Sequence, residues 1–112
     1  MTVTTPELPE QIFRRWVHSR EEDGDNELVF RPPDYSFPPA RGRAGLEFRP
    51  SGEFVDLEIA PTDARRAVGG QWQVEEPNRV RVSFDDDARQ PETFEIVEVD
   101  DGVLKLRRRP AS

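Results

Sequence analysis

The chain contains no cysteine, and it has only one histidine, one tyrosine and one methionine. The absence of cysteine excludes disulfides, thiol catalysis and thiolate metal sites. A single histidine binds a transition metal only with help from carboxylates, and no metal-ligand spacing surrounds it. The chain also lacks a Gly-x-Ser-x-Gly motif and a glycine-rich phosphate loop. We therefore expect a protein that holds no metal and no cofactor.

Apolar residues are scarce and never form a long run. Only 34% of residues are hydrophobic while 35% are charged, and the N-terminus shows no basic region followed by an apolar stretch, so neither a membrane span nor a signal peptide is predicted. The chain is acidic, with a net charge of −7 and a pI of about 4.8, so nucleic acids and anionic membranes repel it. These properties favour a cytoplasmic protein that binds neither nucleic acid nor membrane.

The clearest pattern in the sequence is the segment 69–84. Val80, Val82 and Phe84 alternate with polar residues, a period of two that is typical of a strand with one apolar face. Trp72 and Val74 repeat this alternation in the preceding arm, and residues 76–78 supply turn chemistry. The segment therefore predicts a β-hairpin whose apolar face points to the core.

Similar alternation along the rest of the chain predicts six further strands. The eight predicted strands cover residues of about 15–22, 27–31, 43–49, 53–59, 69–75, 79–84, 93–99 and 103–107. In the fourth strand, Val55, Leu57 and Ile59 share the apolar face, opposite Asp56 and Glu58. Residues 1–8 are expected to be a flexible N-terminal lead. Residues 9–109 are expected to form one domain, which begins with a short helix at about 9–14. Residues 32–42 contain four prolines, so an ordered loop is expected there.

Eight short strands with one apolar face each need protection of their edges. Closure into a barrel removes the edges, and nearly every predicted connection is short and sequential. A two-sheet sandwich is the alternative, but it needs long crossing connections. We therefore predict an all-β fold, a single eight-stranded antiparallel up-and-down barrel with a short N-terminal helix. Such a barrel encloses side chains or one small ligand.

In its order of strands and turns, the chain resembles the small bacterial lipocalin-like proteins of the calycin group. The residues that carry the resemblance lie at Trp16, 19–23, 29–32, 37–43, 48–54, 70–72 and 101–104. The resemblance implies a lipocalin-like barrel that binds small apolar molecules in its interior. It also implies that a terminal arginine, Arg107 or Arg108, covers a tryptophan. One departure is that the Gly-x-Trp triplet, Gly70 to Trp72, falls on the fifth strand rather than the first.

Several large or charged side chains are candidate ligand contacts. They are Trp16, His18, Tyr35, Arg41, Arg43 and Trp72. His18 shares strand parity with Trp16, so an inward-facing imidazole is available as an acid, a base or a ligand contact; alternatively it lies hydrogen-bonded at the barrel mouth. Tyr35, Arg41 and Arg43 sit in or beside the proline-rich loop, where they either hold a carboxylate or pair with the chain's own acidic residues. The two tryptophans alternatively fill the core.

The leading functional hypothesis is a barrel that binds a small molecule, either apolar or carboxylate-bearing, in its interior. Two alternatives remain open. One is a cofactor-free cyclase that acts by confining a reactive polyketide-type substrate. The other is a non-enzymatic interaction module with a filled barrel. A cavity of a few hundred Å³ fits the first two hypotheses, whereas a solid interior leaves only the third.

Overall fold

The computed structural model describes residues 8–39, 42–59, 65–76, 78–86 and 89–109. Its strands are β1 (Arg15–His18), β2 (Glu27–Arg31), β3 (Gly45–Phe48), β4 (Glu53–Ile59), β5 (Arg65–Glu76), β6 (Arg79–Phe84), β7 (Glu92–Val99) and β8 (Leu104–Arg109). They close into one barrel in which every strand pairs antiparallel with two neighbours. The predicted all-β, eight-stranded, antiparallel up-and-down barrel is confirmed.

The ring of strands has one crossing connection. β1 lies between β2 and β3, and β2 pairs with β8 to close the barrel. Val17 is the β1 residue that pairs with Arg31 at the end of β2 and with Gly45 at the start of β3. The connection between β2 and β3, described over residues 32–39 and 42–44, therefore passes across β1. It runs along the outer wall, because Phe37 borders the same outer groove as Val17.

The β5–β6 hairpin confirms the alternation that the sequence predicts. Trp72 pairs with Val82 and Val74 with Val80, and both valines of β6 are fully buried. Gly70 is required in this hairpin by close packing, because a Cβ atom there would lie 2.2 Å from the backbone oxygen of Ser83. The two strands thus approach each other more closely than any side chain at position 70 would allow.

Side chains from all eight strands contribute to the core inside the barrel. Its fully buried members include Ile12, Trp16, Phe48, Phe54, Val80, Val82, Leu104 and Leu106. The Phe48 and Phe54 rings meet edge to face with centroids 5.1 Å apart, and the Phe54 and Phe84 centroids are 6.1 Å apart. Such edge-to-face contacts add to the stabilisation from apolar burial.

The predicted helix over residues 9–14 is reduced to one 3-10 turn, Glu10–Ile12. In an α-helix the Ile12 carbonyl oxygen would accept from the backbone N–H of Trp16. Here it accepts from the backbone N–H of Arg14 at 2.8 Å and from Trp16 Nε1 at 3.1 Å. The chain becomes extended at Arg15, and Ile12 and Leu8 are buried at this end of the barrel. We call this end, closed by residues 8–13, the plug.

The first strand also ends earlier than predicted, at His18 instead of near residue 22. Ser19 starts a second 3-10 turn, Arg20–Glu22. The backbone N–H of Glu22 bonds to the Ser19 carbonyl at 3.0 Å, and the Ser19 hydroxyl donates to the Glu22 carboxylate at 2.6 Å. These two bonds turn the chain away from the sheet. In the described part of the molecule, neither helical turn is long and apolar enough to cross a bilayer.

Candidate functional site

A cavity of about 230 Å³ lies inside the barrel at the end opposite the plug. We call it the upper cavity. Its apolar wall includes Leu28, Phe30, Leu46, Phe54, Phe84 and Phe94, and its polar lining comprises His18, Asp56, Arg89, Glu92 and Arg108. The site thus combines aromatic walls with a few polar groups, the usual composition of a small-molecule pocket.

Strand register explains why charged residues face this cavity. Trp16 pairs with Leu46, and Leu46 pairs with Asp56. Side chains directly opposite each other in a sheet share a face, and Trp16 and Leu46 are buried in the core, so Asp56 points inward as well. On the other side of the barrel, Arg108 pairs with the buried Phe94 and therefore also belongs to the inner face.

The orientation of β4 corrects the sequence-based expectation. Val55 and Leu57 were expected to form the inner face, but Phe54 and Asp56 occupy it, and Phe54 is 2% exposed. Leu57 instead lies on the outer wall, beneath the 32–44 connection. Leu57 borders the space between this connection and the barrel wall, so the more apolar face of β4 points outward and its inner face carries an aspartate.

Asp56 is neutralised by Arg89 from the β6–β7 connection. Arg89 Nη2 donates to Asp56 Oδ2 at 2.9 Å, and Nη1 donates to Glu58. The guanidinium carbon also lies 4.1 Å from the centroid of the Phe84 ring. The hydrogen bond that Arg89 donates to the Asp56 carboxylate raises the pKa of Arg89 further above its usual value. This ion pair joins β4 to the β6–β7 connection at the cavity mouth.

His18 lines the opposite part of the upper cavity. Its Nε2 lies 2.8 Å from Asp23 Oδ2 and 3.1 Å from Oδ1, and Asp23 Oδ1 also accepts from the backbone N–H of Val29 at 2.9 Å. The Phe30 ring packs beside the imidazole, with centroids 5.2 Å apart. Within the described residues, Nδ1 of His18 makes no hydrogen bond. One ring nitrogen is therefore held by Asp23, and the other makes no hydrogen bond within the described residues.

Two bidentate ion pairs brace the turn that carries Asp23. Arg31 binds both carboxylate oxygens of Glu22, at 2.7 and 2.9 Å, and these bonds, with that from the Ser19 hydroxyl, lower the pKa of Glu22 to about 2. Arg43 binds both oxygens of Glu21, at 2.7 and 2.8 Å, which lowers the pKa of Glu21 to about 2. The backbone around His18 is fixed by charged pairs on its outer side.

The structure does not bring the six sequence-predicted contacts together. His18 lines the upper cavity, whereas Trp16 is fully buried outside its lining. Trp72 is half-buried near the plug, where its Nε1 donates to the Arg49 carbonyl at 2.8 Å and its ring lies 5.8 Å from that of Phe13. Tyr35 and Arg43 lie in the crossing connection on the outside, and Arg41 is outside the described residues.

A larger outer groove, of about 470 Å³, separates the crossing connection from the barrel wall. Arg15, Val17 and Leu57 form its floor, with Phe37 and Arg43 above. The Arg43 guanidinium is bidentate with Glu21 and lies 4.7 Å from the Phe37 ring centroid, so it already has a carboxylate partner. The connection therefore packs along the barrel side and does not lid its end.

The arginine that covers a tryptophan is also not the one that the resemblance implies. The Arg14 guanidinium carbon lies 5.4 Å from the Trp16 ring centroid. Arg107 instead pairs with Glu95 at 3.1 Å, and Arg108 lies over Phe94 at 5.8 Å. Trp16 is thus covered by Arg14, the residue that follows the plug, and not from the last strand.

Sequence reasoning missed Asp56, Arg89 and Arg108 as cavity residues. For Asp56 and Arg108, the only signal in the sequence was strand parity. Asp56 lies two residues from Phe54 and Arg108 lies two residues from Leu106, so each shares a strand face with an apolar residue. Nothing in the sequence pattern placed Arg89 beside Asp56. Within the described ranges, no three histidine, aspartate or glutamate side chains converge to form a metal site.

No protein-family model, no curated protein and no solved structure matches the chain. The architecture is a closed eight-stranded antiparallel barrel consistent with a lipocalin-like fold.

Proposed function

We propose that the protein binds a small, mostly apolar and uncharged molecule in the upper cavity. The observation that carries this proposal is a cavity of about 230 Å³ with a phenylalanine-rich wall and polar groups among its lining. A protein cavity of about 150 Å³ accommodates benzene, and drug-sized ligands occupy at least about 300 Å³. The volume therefore suits a small aromatic or short-chain molecule with few polar groups.

The charges that line the cavity favour a neutral ligand. Arg89 is hydrogen-bonded to Asp56 and also pairs with Glu58. Arg108 Nε lies 3.9 Å from Glu92 Oε1. Each positive charge thus has an acidic partner, and a buried ligand carboxylate without a free cation is costly. A carboxylate-bearing ligand would have to take Arg108, whose side chain is 60% exposed, away from Glu92.

Three compounds that share one ring but differ in charge test this proposal. Benzyl alcohol, benzoate and benzylammonium are titrated into the protein and followed by calorimetry and two-dimensional NMR. We expect benzyl alcohol to bind most tightly, with Kd near 1 mM, which is about 0.5 kcal/mol per atom for its roughly eight non-hydrogen atoms. Preference for benzoate would support the carboxylate alternative, and no binding by any of the three would overturn the proposal.

A matched pair of variants distinguishes the upper cavity from the outer groove. Leu28 lines the cavity and Leu57 lines the groove, and both are half-buried strand leucines. Leu28→Trp fills the cavity and is expected to abolish binding, whereas Leu57→Trp should leave Kd unchanged. The reverse result would place the ligand in the groove. Thermal unfolding of both variants verifies that each remains folded.

A further inference from the structure

One wall of the upper cavity carries a histidine whose second ring nitrogen makes no hydrogen bond within the described residues. His18 lines the cavity, and Asp23 holds its Nε2 at 2.8 Å. We propose that His18 is a general base that removes a proton from the bound molecule, with Asp23 as its positioning residue. This role rests on the proposed function, because it requires a ligand in the upper cavity.

The hydrogen bonds determine which nitrogen is the base. An ionised carboxylate only accepts hydrogen bonds, and Asp23 already accepts from the backbone N–H of Val29 at 2.9 Å. Nε2 of a neutral His18 must then carry the proton that it donates to Asp23, so the lone pair lies on Nδ1. Nδ1 makes no hydrogen bond within the described part of the chain. This is the arrangement of a base oriented by a third group.

The surroundings of the imidazole suit proton abstraction. Phe30 packs beside the ring at 5.2 Å and belongs, with Phe54, Phe84 and Phe94, to the apolar wall, which limits competition from water. The charged groups elsewhere in the cavity are paired with each other. On the outer side, Arg43 donates to the His18 carbonyl at 3.3 Å and fixes the backbone without contacting the imidazole nitrogens.

The proton-transfer step needs no co-reactant. A C–H bond next to a carbonyl group of the ligand breaks, its proton moves to Nδ1, and the electron pair is delocalised onto the carbonyl oxygen as an enolate. The resulting imidazolium is stabilised by Asp23. Where the ligand carries a C=C bond next to the carbon that loses the proton, the enolate is a dienolate, and return of the proton to the far carbon of that bond moves the double bond into conjugation and restores neutral His18. The implied reaction class is isomerisation of a small enolisable carbonyl compound.

The test uses 5-nitro-1,2-benzisoxazole, a carbon acid that reports general-base catalysis. Loss of its C3 proton to the base forms a nitrile, cleaves the N–O bond and releases a coloured phenolate. We expect the protein to accelerate ring opening far beyond an equal concentration of free imidazole, with a primary isotope effect on the C3-deuterated compound. His18→Gln should lose about 100-fold or more of this rate.

Two further variants separate positioning from folding. Asp23→Asn keeps an oxygen for the Val29 N–H but removes the carboxylate, so the rate at saturating probe should fall at least about tenfold while probe affinity stays constant. Asp25→Asn, an exposed change in the same turn, should match the unmodified protein. Equal rates for Asp23→Asn and Asp25→Asn would remove Asp23 from the mechanism.

A non-reactive analogue makes failure of this inference distinguishable from failure of the proposed function. The 3-methyl derivative of the probe lacks the C3 proton, so it can bind but cannot react. Binding of the derivative together with a rate no faster than free imidazole, or an unchanged rate in His18→Gln, would overturn the general-base role and leave ligand binding intact. Failure of both the derivative and benzyl alcohol to bind would overturn the two proposals together.

Discussion

The ion pair between Asp56 and Arg89 is predicted to stabilise the mouth of the upper cavity by a measurable amount. Its N–O distance is 2.9 Å, and both side chains are only about a quarter exposed. A hydrogen bond to a charged group contributes about 1.5–3 kcal/mol, and partial exposure reduces this. We therefore expect a coupling free energy of about 1–2 kcal/mol, larger than the value of up to about 1 kcal/mol for exposed pairs.

A double-mutant cycle measures this coupling. Asp56→Ala, Arg89→Ala and the double variant are unfolded with urea, and the coupling is the non-additive part of their free energies of unfolding. Arg89→Ala should cost more than Asp56→Ala, because it also removes the guanidinium that lies 4.1 Å from the Phe84 ring centroid. Such cation–π contacts contribute about 0.5–2 kcal/mol.

A cross-strand pair on the barrel exterior is the control for the cycle. Lys105 Nζ lies 3.6 Å from Glu98 Oε1, and both side chains are more exposed than those of the mouth pair. The same cycle on this pair should give no more than about 0.5 kcal/mol. If the Asp56–Arg89 coupling were no larger than that of the control, the inference that this pair stabilises the mouth would be refuted.

Three further predictions concern stability. Trp16→Phe removes a buried indole N–H and part of the ring, so it should cost about 2–4 kcal/mol in urea unfolding without changing ligand affinity; unchanged stability would contradict the packing described. Gly70→Ala places a Cβ atom 2.2 Å from a backbone oxygen of β6 and should cost about 1–3 kcal/mol, whereas Gly24→Ala, whose nearest contact is 3.7 Å, should stay within about 0.5 kcal/mol. Finally, Arg31 lowers the pKa of Glu22 from 4.5 to about 2. A carboxylate whose pKa is lowered by folding stabilises the folded state above pH 4.5, and this stabilisation is lost as the pH falls toward 2. Tm should therefore drop across this window, and it should drop less steeply in Glu22→Gln. Equal slopes of Tm against pH in the two proteins would refute the assignment of this effect to Glu22.

The alternation of apolar residues was sufficient to predict the barrel. Strands β2, β4 and β6 have the predicted bounds 27–31, 53–59 and 79–84, because turn residues flank each of them in the sequence, and in β6 the apolar residues also repeat with the period of two that strands impose. The N-terminal segment lacked such a pattern. Its conformation is set by the burial of Ile12 and by the indole hydrogen bond from Trp16, which are tertiary interactions.

The candidate site could be predicted only in part. His18 lies on the inner face, where its parity with Trp16 placed it, but the inner face of β4 was assigned to Leu57 instead of Asp56. Local patterning favours the more apolar face as the inner one, yet Leu57 borders the outer groove beside the crossing connection and Arg89 neutralises Asp56 inside. Both partners are distant in sequence, so no local pattern contains this information.

The location of a bound ligand is the most direct test of the proposed binding site. With methyl-labelled protein and benzyl alcohol, intermolecular nuclear Overhauser effects identify which methyl groups contact the aromatic ring. Binding in the upper cavity predicts cross-peaks from the ring protons to the methyl groups of Leu28 and Leu46, which line it. Cross-peaks to Val17 and Leu57 of the outer groove, with none to Leu28 and Leu46, would contradict the proposed site.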